Sequence, residues 1–283
     1  PCVDAILKAG IARVVAAMED PFPEMRGKGI AALREAGVEV RTGVLESEAR
    51  SLLAPYLKRV TTGKPWVIAK WAMTLDGKIA ARDGGSKWIT GEAARAVVHK
   101  LRGRVDGILV GGRTARRDDP LLTCRPPGLR TPTRVIFDRS LQSPRELQVI
   151  RTAKETPTLF VAGPNAPSEK RDQFRRDGVE VLQLASTRSH EQIEELLREL
   201  GRRNWTNLIV EGGGEVLGAF FDSGAVDEVH AFIAPKLVGG ADAPSPIGGE
   251  GVASMMQSLQ LDSVRIETIG VDVYVHGRLA RNA

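Results

Sequence analysis

The chain has 283 residues, 42% of them apolar and 27% charged, which gives room for one large globular domain or for one domain and part of another. No apolar run reaches the length of a membrane span and no charged-then-apolar leader opens the chain, so the cytoplasm is the expected compartment and a membrane is not an expected partner. The net charge of +5 comes with only 5% aromatic residues and with basic residues spread along the chain, which argues against a stacking surface for nucleic acid, and the two cysteines make no disulfide framework.

Residues 1–60 alternate helical and strand patterns. Pro1-Cys2 leads into a helical pattern. A cysteine at a helix N-terminus can be a low-pKa thiolate suited to zinc, whereas a lone cysteine is more commonly a buried structural thiol. Residues 12–18 are an apolar run suited to a buried strand, residues 27–36 read as a helix, 38–40 as a strand and 47–57 as another helix. This βαβα order builds parallel sheets. The polar break Thr61-Thr62-Gly63-Lys64-Pro65 marks the boundary to a second unit, residues 65–283.

The second unit opens with a strand over residues 66–73. A helix over Glu92–Arg102 follows, then strands over residues 107–110, Thr133–Phe137, 158–161, 179–184 and Asn207–Glu211. Three more strands, over Glu228–Ala234, 264–269 and 271–275, close the chain. The fold class is α/β, and its strand-rich end predicts antiparallel additions to a mainly parallel sheet.

Three clusters carry chemistry. Glu211-Gly212-Gly213-Gly214-Glu215 lies between a strand and a helical pattern, the arrangement in which backbone N–H groups and a helix dipole receive phosphate; a tight turn without a ligand has the same signature. Leu75-Asp76-Gly77-Lys78 is a turn signal, and Gly85-Ser86-Lys87-Trp88-Ile89-Thr90 follows it. There Trp88 is either a surface residue or a wall for a planar ring, and Thr90 is placed to cap the next helix. Asp118-Asp119-Pro120, with Leu122 and Arg125, reads as a solvated loop or as a pocket rim with a proton-handling acid and a phosphate-binding arginine.

In that order, Lys70-x-Ala72-x-x-Leu75-Asp76-Gly77, Ser86-x-Trp88-Ile89-Thr90, Asp118-Asp119-Pro120, Glu211-Gly212-Gly213 and Ile233-Ala234-Pro235-Lys236-Leu237-x-Gly239-Gly240 closely resemble the reductase domain of the bifunctional deaminase/reductases of bacterial riboflavin biosynthesis. The resemblance implies a fold like dihydrofolate reductase, a homodimer through the reductase domain, and NADPH as cofactor. The implied substrate is 5-amino-6-(5-phosphoribosylamino)uracil, a phosphoribosyl pyrimidine reduced at C1 of its ring-opened ribose. Ala72, Trp88, Thr114, Asp118 and the run Gly213, Gly214, Glu215, Val216, Leu217, Gly218 and Ala219 match cofactor-contacting positions. Ser86, Arg102, Leu122, Arg125 and Glu211 match substrate-contacting ones. The two arginines suit a ribose phosphate, because a guanidinium fork matches phosphate oxygens. Lys70, Asp118 and Glu211 are the candidate catalytic groups, Lys70 as a polarising or proton-donating group.

Two departures from the family pattern matter. Gly214-Glu215 stands where Pro-Thr is frequent, so the Glu215 carboxylate must turn away from a bound phosphate. Arg139 stands where a small hydroxyl is frequent, and it is placed either for the 2′-phosphate of NADPH or for solvent.

Residues 1–60 resemble the end of the zinc deaminase domain of the same family, through Cys2, Asp4-Ala5-Ile6, Gly10-Ile11, Met18-x-Asp20-Pro21, Gly27-Lys28-Gly29-Ile30 and Gly37-Val38-Glu39-Val40. The family's zinc takes a histidine and two cysteines, with a glutamate in an H-x-E motif moving protons. Only Cys2 maps onto that set. None of His99, His190, His230 and His276 begins an H-x-E, and Cys124 lies in the other unit. One thiolate cannot hold a catalytic zinc. The expectation is a deaminase remnant truncated on its N-terminal side and without activity, with zinc confined to a longer parent. Two competing readings remain: a dihydrofolate-reductase-like oxidoreductase on another pyrimidine or pterin, and a binding protein that keeps the fold without turnover.

Overall fold

The computed structural model describes residues 2–125 and 130–280. Four helices and two strands come first: α1 (Cys2–Lys8), β1 (Arg13–Ala16), α2 (Lys28–Glu35), β2 (Glu39–Thr42), α3 (Glu46–Leu52) and α4 (Ala54–Thr62). The strands β1 and β2 pair in parallel as a separate small sheet. The single helix expected over residues 47–57 is two helices, broken at Leu53 with Pro55 in the first turn of α4. Proline has no N–H for the preceding turn and its ring crowds that turn's carbonyl, so the chain restarts there. Helix α4 lies against the larger unit: Ala54 packs on its core, Lys58 pairs with the buried Asp227, and Arg59 Nη1 donates to Asn204 Oδ1 at 3.1 Å.

The remaining elements are β3 (Trp66–Thr74), α5 (Glu92–Arg102), β4 (Gly107–Gly111), α6 (Gly112–Asp118), β5 (Thr133–Phe137), α7 (Gln148–Arg151), β6 (Thr158–Ala162), α8 (Ser168–Arg176), β7 (Glu180–Gln183), α9 (Ser189–Arg202), β8 (Asn207–Glu211), α10 (Gly214–Asp222), β9 (Glu228–Ala234), β10 (Leu261–Ile269) and β11 (Asp272–Leu279). Nine strands form one sheet in the order β10-β11-β9-β3-β8-β4-β5-β6-β7. From β9 to β7 neighbouring strands run parallel, while β11 is antiparallel to both β9 and β10. The expected α/β fold, mainly parallel with an antiparallel end, is the fold observed.

Both faces of the parallel part are covered, so its strands are apolar throughout rather than alternating. Ile108 and Val110 of β4 join one core with Ala115, Ile150 and Phe174 from α6, α7 and α8. Leu109 between them enters the opposite core with Ile193, Leu196, Leu197 and Leu200, which recur on one face of α9. A third, smaller cluster packs Ala94 and Val98 of α5 on Phe232 and Tyr274 of β9 and β11.

Helix α5 is not capped by Thr90, as the sequence suggested. The N-cap is Gly91, and its N–H donates to Asp272 Oδ2 at 2.8 Å. The capping carboxylate comes from the start of β11, so the same bond ties the helix to the antiparallel edge. Among the described residues, no helix is long and apolar enough to cross a membrane.

Candidate active site

The chain leaves β3 and returns through α5 to β4, and β8 is later inserted between those two strands. The carboxyl ends of β3, β8 and β4 therefore open a crevice, the place where α/β sheets receive ligands. A cleft of about 180 Å³ lies there. Register sets its floor: Lys70 of β3 is level with Glu211 at the end of β8.

Glu211 is held from two sides. Arg102, in the last turn of α5, donates Nε to Oε1 and Nη2 to Oε2, both at 2.8 Å, a bidentate fork. Lys70 Nζ lies 3.7 Å from Oε2. Burial pushes the Glu211 carboxyl up, but the charges of Arg102 and Lys70 outweigh it and hold the group at about 2. Burial lowers Lys70, with Glu211 opposing that shift and Arg102 adding to it. The floor is thus an ionised carboxylate between two cations, one of them made a readier proton donor by its surroundings. Arg102 also donates Nη1 to Thr123 O at 3.2 Å, so among the described residues three of its five N–H groups are engaged.

The walls bring many of the sequence candidates together. Ala72, Ser86, Thr114, Asp118, Leu122, Gly213 and Leu217 line the cleft with Lys70, Arg102 and Glu211. The adjacent aspartates divide their work. Asp118 lines the cleft and accepts from Arg117 Nε at 3.0 Å, while Asp119 turns back and accepts from the Gln148 N–H at 2.8 Å, at the start of α7.

The glycine-rich turn gives α10 an open start. Gly212 and Gly213 have φ of 64° and 74°, in the left-handed region, and a Cβ on Gly213 would stand 2.7 Å from Thr114 Oγ1. The turn therefore carries backbone into the cleft where a side chain would block it. Together with the N-terminus of the nine-residue α10, this cradle fits the diphosphate of a dinucleotide. Glu215 is exposed and pairs with Arg113 at 3.3 Å, turned away as expected. Gly214, Val216, Gly218 and Ala219 continue α10 without lining the cleft. Gly218 is needed for packing, since a Cβ there would meet the Gly248 carbonyl at 2.3 Å.

Other candidates stand at the margins. Trp88 is 65% exposed, with the Arg95 guanidinium 4.5 Å from its ring centroid. Arg125 is exposed just after the wall residue Leu122, and Arg139 is exposed at the carboxyl end of β5 beside the buried Asp138. Cys2 is exposed in α1. Among the described residues, the group with metal-ligand geometry does not include it.

Trp71 was not among the sequence candidates. It lines the cleft, and its buried indole Nε1 has no hydrogen-bond partner among the described residues. It falls at the open position between Lys70 and Ala72 in the pattern that carried the family resemblance, so no signal in the sequence marked it. The Asp76 turn and the Lys236–Gly240 loop, read as separate motifs, bind each other. Asp76 accepts from the Gly239 N–H at 2.6 Å, and the Thr74 hydroxyl with the Gly239 and Val238 amides holds its carboxyl at about 2.

Residues 65–275 match the model of the RibD C-terminal domain. The chain is 40% identical over 273 residues to the riboflavin biosynthesis protein RibD of Actinobacillus pleuropneumoniae, covering 96% of this chain and 72% of that protein. It is 42% identical over 274 residues to RibD of Bacillus amyloliquefaciens, covering 96% and 73%. A crystal structure of a diaminohydroxyphosphoribosylaminopyrimidine deaminase/5-amino-6-(5-phosphoribosylamino)uracil reductase from Thermotoga maritima superimposes with a TM-score of 0.83 at 33% identity, covering 99% of this chain and 75% of that one. The chain spans about three quarters of these relatives. With the match running through the whole cleft, from Lys70 to the glycine turn, the chain belongs to the family of the RibD C-terminal domain.

Proposed function

We propose that this chain reduces 5-amino-6-(5-phosphoribosylamino)uracil to its ribitylamino product in riboflavin biosynthesis, with NADPH as the reductant. The observation that carries the reading is the floor of the cleft: Glu211, gripped by Arg102 and Lys70, beside a glycine turn that opens the start of α10. The chemistry NADPH supplies when bound is a hydride for C1 of the ring-opened sugar. The Gly212–Gly213 turn and Thr114 would hold its diphosphate, and Arg139 its 2′-phosphate.

The chain's own groups do the rest. Glu211, fixed in place and ionised, accepts hydrogen bonds from the pyrimidine or the ribose hydroxyls. Lys70 donates to the sugar oxygen as the ring opens, and the burial that lowers its pKa eases that donation. Asp118 on the opposite wall is a second proton-handling group. Arg125 and the free part of the Arg102 fork would bind the substrate phosphate. Residues 1–60 take no part in this reduction.

A homodimer is part of the proposal. The edge strand β10 and its turn into β11 expose Val264, Ile266, Val271 and Val273 at 47%, 70%, 73% and 38%, an apolar edge that a monomer would leave open to aggregation and a second copy would cover.

Arg125→Ala, assayed on the phosphorylated substrate and its dephosphorylated form, tests the substrate. Removing one arginine from a desolvated phosphate costs roughly 2–5 kcal/mol, or about 30-fold or more in kcat/KM. The loss is expected on the phosphorylated substrate and largely absent on the other. An equal loss on both would remove Arg125 from the phosphate site and favour a reductase of another pyrimidine or pterin. A chain that fails to quench its tryptophans with NADPH would be a binding protein without turnover.

A further inference from the structure

The antiparallel edge carries a second cluster of chemistry that the cleft does not use. Glu228 and His230 alternate along β9 and so share a face, and His276 of β11 is the register partner of His230. One ligand atom from each lies within 4.8 Å of the others. His230 is buried, while the side chains of Glu228 and His276 keep 23% and 21% of their exposure, enough for an ion to enter.

The geometry points to a zinc-class divalent cation site formed by Glu228, His230 and His276, clipping β9 to β11 and separate from the deaminase zinc. Two imidazoles and one carboxylate are a zinc donor set that leaves one position for water. Zinc bonds of about 2.0–2.2 Å place tetrahedral ligand atoms roughly 3.4 Å apart. His230 Nε2 and Glu228 Oε1, now 2.8 Å apart, open by a few tenths of an ångström, and the His276 ring, now 10° from parallel with His230, must turn as its ligand nitrogen closes by at most about 1.4 Å.

The supporting atoms are also in place. Glu228 Oε2 accepts from Trp66 Nε1 at 2.9 Å, which leaves Oε1 for the ion. His230 Nδ1 lies 2.5 Å from the Tyr274 hydroxyl. With the ion on Nε2, the ring carries its proton on Nδ1 and donates it to the Tyr274 oxygen, the outer partner a ligating histidine needs. Glu267 Oε1 stands 3.4 Å from His276 Nε2 and adds negative charge. Three cations stand near the cluster: Lys70, level with His230, faces Glu211; Arg278, the register partner of Glu228, binds Ser51 Oγ and O while its charge still reaches that carboxylate; and Arg104 acts on Tyr274. The alternative is a purely structural column, since the rings of His230 and His276 stack at 5.4 Å and those of Tyr274 and His276 at 4.7 Å.

Zinc added to the whole chain, with its release followed by a chromophoric chelator, separates the two. The wild type is expected to retain one zinc per chain at micromolar concentration, and Cys2→Ala to behave identically. His276→Ala and Glu228→Gln should each weaken binding at least tenfold, the glutamine keeping the bond from Trp66. Tyr274→Phe, which keeps the ring and loses the outer partner, should weaken it by roughly tenfold. Zinc should also raise the melting temperature of the wild type and not of His276→Ala. No retained zinc in the wild type, equal retention in Glu228→Gln and His276→Ala, or retention lost in Cys2→Ala would overturn the site.

Discussion

Arg102 and Arg134 are both withdrawn from water, one on the floor of the cleft and one at the junction of β5, α7 and β6, and the two regions use the guanidinium differently. Arg134 spends its donors on neutral oxygens: the hydroxyls of Thr152 and Thr158 and the carbonyls of Val149 and Thr156. Burial lowers its pKa to about 10. It closes a structural joint, in which four of its five N–H groups meet protein oxygens. Arg102 meets a carboxylate shared with a lysine, and both the carboxylate and part of the fork stay turned to the cleft. The difference separates a buried charge that builds the fold from one that builds a site, and satisfaction of hydrogen bonds is the criterion.

Replacing Glu211 should break the comparison most severely. Glu211→Gln leaves Arg102 and Lys70 as buried cations without a counter-charge, at a cost of roughly 3–5 kcal/mol in urea unfolding. The activity of the folded fraction should fall about 100-fold or more. The pH dependence has a definite sign. The carboxyl sits at about 2 in the folded chain against an ordinary 4.5, so its stabilisation is complete above about pH 4.5 and is lost as the pH falls toward 2. Glu211→Gln should flatten that limb of the stability profile, and an unchanged limb would show that other carboxylates set it.

Arg134→Met should cost about 2–3 kcal/mol, because the Val149 and Thr156 carbonyls are left sharing the single Thr158 hydroxyl as donor. Here kcat/KM of the folded protein should stay within about twofold of wild type. A large loss of activity at unchanged stability would erase the distinction between the two arginines.

The smallest effect concerns the start of α5. Asp272→Ala should cost about 1–2 kcal/mol, the range for a lost helix cap, whereas Thr90→Val should stay within about 0.5 kcal/mol. The reverse order would return the cap to Thr90.

The parallel strands were legible because burial on both faces writes them as short apolar runs, and β5, β8 and β9 fall at their expected bounds. The glycine turn and the paired acids were legible as local motifs, whereas Lys70, Ala72, Arg102 and Thr114 came only through the resemblance to the family. What escaped depends on partners far along the chain. Arg134 sits in an expected strand, but a charged residue there reads as outward-facing until Thr152 and Thr158 are brought to it. The cap on α5 comes from 181 residues away, and the bond between Lys58 and Asp227 joins helix α4 to the larger unit across 169. The second role of Arg102, as the clasp on Glu211, is equally non-local.

Hydride transfer from NADPH to the sugar carbon leaves an isotopic trace. The chain is given 5-amino-6-(5-phosphoribosylamino)uracil with NADPH deuterated at the transferable C4 position, and the product is read by mass spectrometry and NMR. The account predicts one deuterium per product molecule, at C1 of the ribityl chain, with one NADPH oxidised for each. Oxidation of NADPH without deuterium at that carbon, or no turnover by a folded chain that binds both ligands, would contradict it.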